Sequence, residues 1–283
     1  MYEKLSELAP DFHVRTPIQP MPRLAGQLGI ENLYIKRDDL TDFLGNKTRH
    51  AKYLIAWARA KKVERLIIKG RGDSNTVRIY AAAFKRAGFD VHLDLTSPAA
   101  GGNGAAIRMI RSLSDGPARE IKIRYDQLKE YAALGYFEAA GEILEDMPDV
   151  DLIYLYSYDA SWIGLSIGLW ARAIDSKIIA VRGPGAPSGA LGTAEDKAYI
   201  NQIYEAVEGM IGCRVLARNI DQREIKGTYG ITVRDVLNLE GVLLDPVYTG
   251  RAMAALISDA REGKIPAGAK VLFWHTGGVF KNE

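Results

Sequence analysis

A single cysteine, Cys213, stands among 283 residues. It has no partner for an internal disulfide, and a metal site built on several thiolates is excluded. Long hydrophobic runs are missing as well. No stretch approaches the roughly 18 uninterrupted apolar residues of a membrane span, and the N-terminal MYEKLSELAPDF carries acids where a leader would carry an apolar segment. Neither sign of charge is in large excess. Thirty-seven basic and thirty-five acidic side chains leave a net charge of +2, and no run of like charges offers a footprint for nucleic acid. The four histidines, His13, His50, His92 and His275, show no metal-ligand spacing. These absences predict a globular protein of a reducing compartment, the cytoplasm, with no nucleic-acid or membrane partner and no metal.

What is present is a core-forming composition, 47% hydrophobic and 25% charged, sufficient for one large domain or two modest ones. Short apolar and β-branched runs at 65–70, 90–95, 120–125, 151–157, 177–181 and 270–277 read as strands. Segments of helical period lie between them, at 48–62, 74–87, 103–113, 127–146, 161–174, 192–211 and 249–262. The alternation predicts an α/β fold with largely parallel sheets flanked by helices. No repeat, low-complexity segment or Pro/Ser-rich linker divides the chain, so two domains would exchange chain crossings rather than sit in series.

In such sheets ligands gather beyond the carboxyl ends of the strands, where loops lead into helix N-termini. Four junctions stand out: LGNKTRHAKYL (44–54), GRGDSNTVR (70–78), SYDASWIGLSIGL (157–169) and HTGG (275–278). The first places Lys47 at a helix start, where the helix dipole disfavours a cation. In the second, Ser74 or Asn75 can cap the helix, and its N–H groups can hold an anion. A further loop, RGPGAPSGALGT (182–193), contains two prolines that cannot donate and reads as a connection. GNKT lacks the spacing of a phosphate-binding P-loop. Gly164-Leu165-Ser166-Ile167-Gly168 fits G-x-S-x-G, and Asp245 and His275 follow in the chain order of an α/β-hydrolase triad. A nucleophile elbow must turn tightly after a strand, however, and Ser166 lies nine residues past Ser157 in a segment that reads as an apolar helix needing small residues for close packing.

Taken together, YIKRDDL (34–40), GNKTR (45–49), Ser74-Asn75 followed by Arg78, LLDPVYTG (243–250) and VLFWHTGG (271–278) resemble, in order, the motifs of a family of pyridoxal-phosphate enzymes. That family contains 1-aminocyclopropane-1-carboxylate deaminase and D-cysteine desulfhydrase, and the resemblance runs from about residue 14 to 279. It implies a two-domain fold type II enzyme, with residues 1–47 and 158–283 forming the larger domain and 48–157 the smaller. Pyridoxal 5'-phosphate would lie between them, with a small amino acid as substrate and a homodimer as the assembly. Lys47 would form the Schiff base and later act as base, which requires a lowered pKa. Asn75 would sit beside the cofactor's phenolic oxygen, and Ser74 with Asn75 beside the substrate. Tyr248 and Tyr229 resemble the family's active-site tyrosines. Thr249 stands where the cyclopropane-opening members carry glutamate; with Thr276 it would give the pyridine nitrogen a hydroxyl environment. These features imply α,β-elimination of the desulfhydrase type, releasing ammonia and a keto acid.

Two departures fall on the phosphate end. His50 replaces the lysine usual three positions after the Schiff-base lysine, and Ser157-Tyr158-Asp159-Ala160-Ser161 replaces a glycine-rich G-S-G-G-T cup. The bulk of Tyr158 and the charge of Asp159 oppose a phosphate there. Three readings follow. Asp159 turns outward, and Ser161, His50 and the helix start hold the phosphate; or Tyr158 and Asp159 line a new substrate pocket for another reaction of the same cofactor; or the chain is a non-catalytic partner subunit. Retention of Lys47, Ser74, Asn75, Tyr248 and HTGG favours an enzyme.

Overall fold

The computed structural model describes residues 1–97, 104, 106–109, 122–123, 128–183, 193–216, 219–227 and 230–278. The chain begins with α1 (Tyr2–Leu8), β1 (Ile18–Pro20), α2 (Pro22–Leu28), β2 (Asn32–Arg37) and α3 (Lys47–Ala60). It continues through β3 (Arg65–Gly70), α4 (Asn75–Arg86), β4 (Asp90–Leu95), β5 (Lys122–Ile123), α5 (Lys129–Asp146) and β6 (Leu152–Tyr156). The last third comprises α6 (Ala160–Trp170), β7 (Lys177–Arg182), α7 (Ala194–Ile211), β8 (Ile220–Glu224), α8 (Gly230–Glu240), α9 (Thr249–Arg261) and β9 (Lys270–His275).

The strands form two sheets. One has six strands in the order β1-β2-β9-β6-β7-β8, and the other has three in the order β4-β3-β5. Pairing is parallel throughout except between β1 and β2 at one edge. The pleat explains why the central strands read as unbroken apolar runs, since successive side chains point to opposite faces. Leu272 and Trp274 of β9 join Ile153 and Leu155 of β6 in a core with α5, α6 and α7. Val271 and Phe273 join Tyr154 and Tyr156 in a second core with α2, α8 and α9 on the opposite face. The smaller sheet has its own core, where Leu66 and Ile68 pack with Leu54 and Ile55 of α3 and Ile79 and Phe84 of α4.

The architecture is the expected α/β one, with largely parallel sheets between helices. Elements that periodicity did not announce are short or polar: α1, α2, α8, β1, and β2 with its fully buried Lys36. The edge strand β8, Ile-Asp-Gln-Arg-Glu, also gave no apolar signal. The expected strand 120–125 is described only at Lys122–Ile123, and the expected helix 103–113 falls largely outside the described residues. The segment 48–157, expected as the smaller domain, holds the three-stranded sheet, yet its last strand, β6, pairs between β9 and β7 in the larger one. No helix among the described residues is long and apolar enough to cross a membrane.

Candidate active site

Between the two sheets, beyond the carboxyl ends of β3, β6 and β9, lies a cleft of about 240 Å³. Lys47 enters it from the first turn of α3, Ser74 and Asn75 from the start of α4, and Tyr158 and Asp159 from the loop after β6. Tyr248, Thr276 and Ser161 complete the lining drawn from the expected site residues.

Lys47 is fixed by the backbone before it and by charges beneath it. Asn46 N donates to Thr276 O at 3.1 Å, and Gly45 bridges Gly277. Gly277 has φ +87°, and a Cβ there would lie 2.5 Å from Gly45 Cα, so both the conformation and the approach require glycine. One turn into α3, the fully buried Arg49 donates to Asp38 through Nε and Nη2 at 2.9 and 2.8 Å, and to Glu142 at 2.5 Å. Lys36 pairs with the same Glu142 at 2.5 Å, and Trp274 Nε1 donates to Asp38 at 2.8 Å. Two cations balance two carboxylates in a hydrogen-bonded network, the arrangement in which charges tolerate burial. Burial works against ionisation of Asp38, but the Arg49 charge and hydrogen bonds outweigh it and hold the carboxyl below its ordinary value. The motif YIKRDDL, read from the sequence only as part of a resemblance, thus supplies Lys36 and Asp38 to the clamp that seats α3 on β2, β9 and α5.

Lys47 Nζ lies deep, although part of its side chain opens onto the cleft. Burial, reinforced by the nearby Lys129 ammonium and opposed by Asp159, lowers its pKa to about 7. The nitrogen is 3.4 Å from His50 Nδ1, which Tyr80 Oη also approaches at 3.4 Å, while His50 Nε2 is 3.0 Å from Ser161 Oγ. Burial, then Lys47, Lys129 and Arg49, hold the imidazole well below its usual pKa. His50 is therefore neutral, and the donors facing Nδ1 assign its proton to Nε2, which donates to Ser161.

At the start of α6, Asp159 does not turn outward. Its Oδ1 accepts from Ala160 N at 2.5 Å, and its Oδ2 meets Lys129 Nζ at 2.7 Å and accepts from Tyr199 Oη at 3.3 Å. Lys129, at the first turn of α5, is only 5% exposed. Sequence reasoning missed it, because its 82-residue separation from Lys47 leaves no local pattern. Tyr158 bonds Tyr156 Oη at 2.6 Å, and the Tyr156 ring lies 5.0 Å from that of Tyr248, so three aromatic rings form one wall.

Ser74 is the residue that caps α4, its Oγ accepting from Val77 N at 3.3 Å, and its own O–H remains able to donate into the cleft. Asn75 Oδ1 accepts from Arg78 at 2.6 Å, and Arg78 reaches Phe43 O at 3.0 Å, tying α4 to the loop before Lys47. Thr249 departs from expectation. It is fully buried, and its hydroxyl donates to the Asp245 carboxylate and accepts from Asp245 N, both at 2.8 Å, so Thr276 and not Thr249 faces the cleft. Tyr229 lies outside the described residues. The hydrolase alternative has no geometry to support it. Ser166 sits inside α6 and pairs with Tyr204 Oη at 3.0 Å, His275 bonds Leu243 O and Gly277 N, and Asp245 caps the turn into α9.

A sequence model of the family described as pyridoxal-phosphate dependent enzyme matches residues 10–114. D-cysteine desulfhydrase of Salmonella typhi is 30% identical, covering 93% of this chain and 92% of that protein; its counterpart in Salmonella choleraesuis is 29% identical with the same coverage. Among solved structures, one described as an ACC deaminase homologue superposes with a TM-score of 0.79 at 26% identity, over 99% of this chain and 96% of the other. Processed threonine deaminase isoform 2 of Solanum lycopersicum, at 17% identity and a TM-score of 0.68 over 100% of this chain and 84% of its own, shares the fold. The cleft thus brings a lysine at a helix start together with residues that follow strands of both sheets, in a chain that matches the desulfhydrases over 93% of its length. It belongs to the family of pyridoxal-phosphate-dependent enzymes that includes the D-cysteine desulfhydrases.

Proposed function

We propose that the chain catalyses α,β-elimination on a small amino acid, in the manner the name D-cysteine desulfhydrase describes, releasing the β leaving group, ammonia and a keto acid. The observation that carries this reading is the position of Lys47, whose amine shares one cleft with Ser74, Asn75, Tyr248 and Thr276. The donor set fits pyridoxal phosphate: an amine accessible in its neutral form near pH 7, hydroxyl and amide groups around the ring position, and a corner by α6 that already stabilises an anion. When bound, the cofactor supplies an aldehyde for amines and a ring that takes up the electrons left by a proton lost from the substrate's Cα.

The rest is the work of the protein. Lys47 would hold the cofactor through its amine and, as a free amine, would serve as the base that holds the substrate's Cα proton. Ser74 and the N–H groups of α4 receive the substrate carboxylate, and Asn75 orients the ring from the side. Tyr248 presents its hydroxyl to the substrate side, backed by Tyr156, with Tyr158 beyond it at the rim. Ser161 and His50 serve the phosphate end. We place the enzyme in the cytoplasm, in keeping with a lone Cys213. We also infer a homodimer, the assembly that the family resemblance implies; exposed Leu44 and Leu243, whose backbone oxygens lie against Gly277 and His275, are candidates for its contact.

Mixing the purified protein with pyridoxal phosphate should give a yellow complex that borohydride fixes to the peptide containing Lys47, and Lys47→Ala should give neither. D- and L-amino acids with β leaving groups should then yield ammonia and keto acid. Cofactor fixed to a different lysine would refute the assignment.

A further inference from the structure

Lys129, buried behind the cleft, and Asp159, which lines it, form a charge pair whose only role in the reaction outlined above is its influence on the Lys47 amine. They come from α5 and from the loop ahead of α6, and they meet at 2.7 Å with side chains 6% and 15% exposed. Around the Asp159 carboxylate stand the Ala160 N–H at 2.5 Å, the Tyr199 hydroxyl at 3.3 Å and the Lys129 ammonium. Ser161, two residues on, has its Oγ 3.0 Å from His50 Nε2 and accepts from the Asn46 amide at 3.5 Å. A helix-start N–H, an ammonium and a hydroxyl donor converging on one carboxylate are the partners that a phosphate monoester takes. Here the chain provides the anion itself.

We propose that Asp159 is an internal occupant of the seat for the cofactor's phosphate, and that a phosphate enters by displacing its carboxylate and taking over Lys129. The inference rests on the cofactor reading given above. A phosphate and the carboxylate cannot share the seat, because like charges at contact distance repel strongly in a water-poor site. Exchange leaves Lys129 paired and α6 capped, and the displaced carboxylate swings into the open cleft that Asp159 lines, so no charge is stranded in the interior. The consequence is one of selectivity. A phosphorylated aldehyde has to work against Asp159, whereas an aldehyde without phosphate does not.

Dissociation constants for pyridoxal phosphate and for pyridoxal, read by tryptophan fluorescence, together with the melting-temperature rise caused by inorganic phosphate, test this in the wild type, Asp159→Asn, Lys129→Met and the double variant. Asparagine keeps the helix cap and removes the charge. Asp159→Asn should raise the preference for pyridoxal phosphate over pyridoxal about tenfold or more, beyond any change at the Lys47 amine that both aldehydes share, and gain a larger melting shift from inorganic phosphate. Lys129→Met should lower the preference for pyridoxal phosphate over pyridoxal about tenfold, a ratio in which the change at the Lys47 amine, common to both aldehydes, cancels. Should that variant fold poorly with Asp159 unpaired, the double variant, binding pyridoxal phosphate more weakly than Asp159→Asn, gives the same answer. Equal changes for both aldehydes, or weaker phosphate binding in Asp159→Asn, would overturn the proposal. If both aldehydes attach at Lys47 while Asp159→Asn matches the wild type in every arm, the seat proposal falls alone. If the inorganic phosphate shift grows as expected and neither aldehyde binds any variant, the seat stands as an anion site and the cofactor reading falls.

Discussion

Lys47 and Lys129 face the same buried space, and they resolve their repulsion differently. Lys129 lies against the Asp159 carboxylate, while Lys47 faces the neutral ring of His50, so Lys47 is the one that sheds its proton, with a pKa of about 7. Only the neutral amine attacks an aldehyde. Cofactor attachment should therefore accelerate as pH rises through about 7, far below the ordinary lysine value of 10.5. Removing the neighbouring cation in Lys129→Met should move that midpoint up, and removing the anion in Asp159→Asn should move it down; borohydride trapping at fixed times across a pH series measures both. An unchanged midpoint in both variants would mean that burial alone sets the value. At this scale the meeting of Lys47, Ser74, Asn75 and Thr276 in one cleft was legible because each sits in a short motif just after a strand or at the start of a helix. Lys129 was not, since its role depends on a contact made across two elements, and Thr249 misled because a side chain's direction cannot be read from the residue before it.

Among the helices, α5 and α6 show how spacing becomes packing. A Cβ on Gly164 would lie 1.9 Å from Ala133 O, inside any possible contact, so the two helices approach to backbone distance only because residue 164 has no side chain. Gly164→Ala should lower stability by about 1–3 kcal/mol or more through overpacking, whereas Gly209→Ala, exposed in the last turn of α7 with nothing within 4 Å, should raise it by about 0.5–1 kcal/mol. Urea titration of the two variants checks both signs. The apolar segment around Ser166 was correctly read as a close-packed helix, because an elbow cannot lie so far past its strand. Strands β6, β7 and β9 were legible for a related reason: burial on both faces leaves an unbroken apolar run. Strand β8 escaped because an edge strand of Asp, Gln, Arg and Glu carries neither alternation nor apolar content. The long pairing of Lys36 with Glu142 made β2 equally opaque, a lysine in a strand reading as solvated until its partner is known.

Across the whole molecule, the clamp beneath α3 is drawn from Lys36, Asp38, Arg49, Glu142 and Trp274, so distant parts of the chain meet under one side chain. Asp38→Asn should cost about 3–5 kcal/mol, because it leaves Arg49 buried with part of its charge unanswered, while Asp38→Asn combined with Arg49→Met should cost less than the sum of the two single changes. Chemical denaturation of the three variants would expose strict additivity, which would contradict the clamp. The same convergence has a bearing on biogenesis. During synthesis, the amine at position 47 is present long before β9 emerges to complete its surroundings, and in an unfolded chain it retains ordinary basicity. At neutral pH it is then roughly a thousandfold poorer in unprotonated nitrogen than in the finished fold. The reactivity of this one amine toward aldehydes is thus a product of tertiary assembly, and a denatured chain should label at Lys47 no faster than at its other lysines.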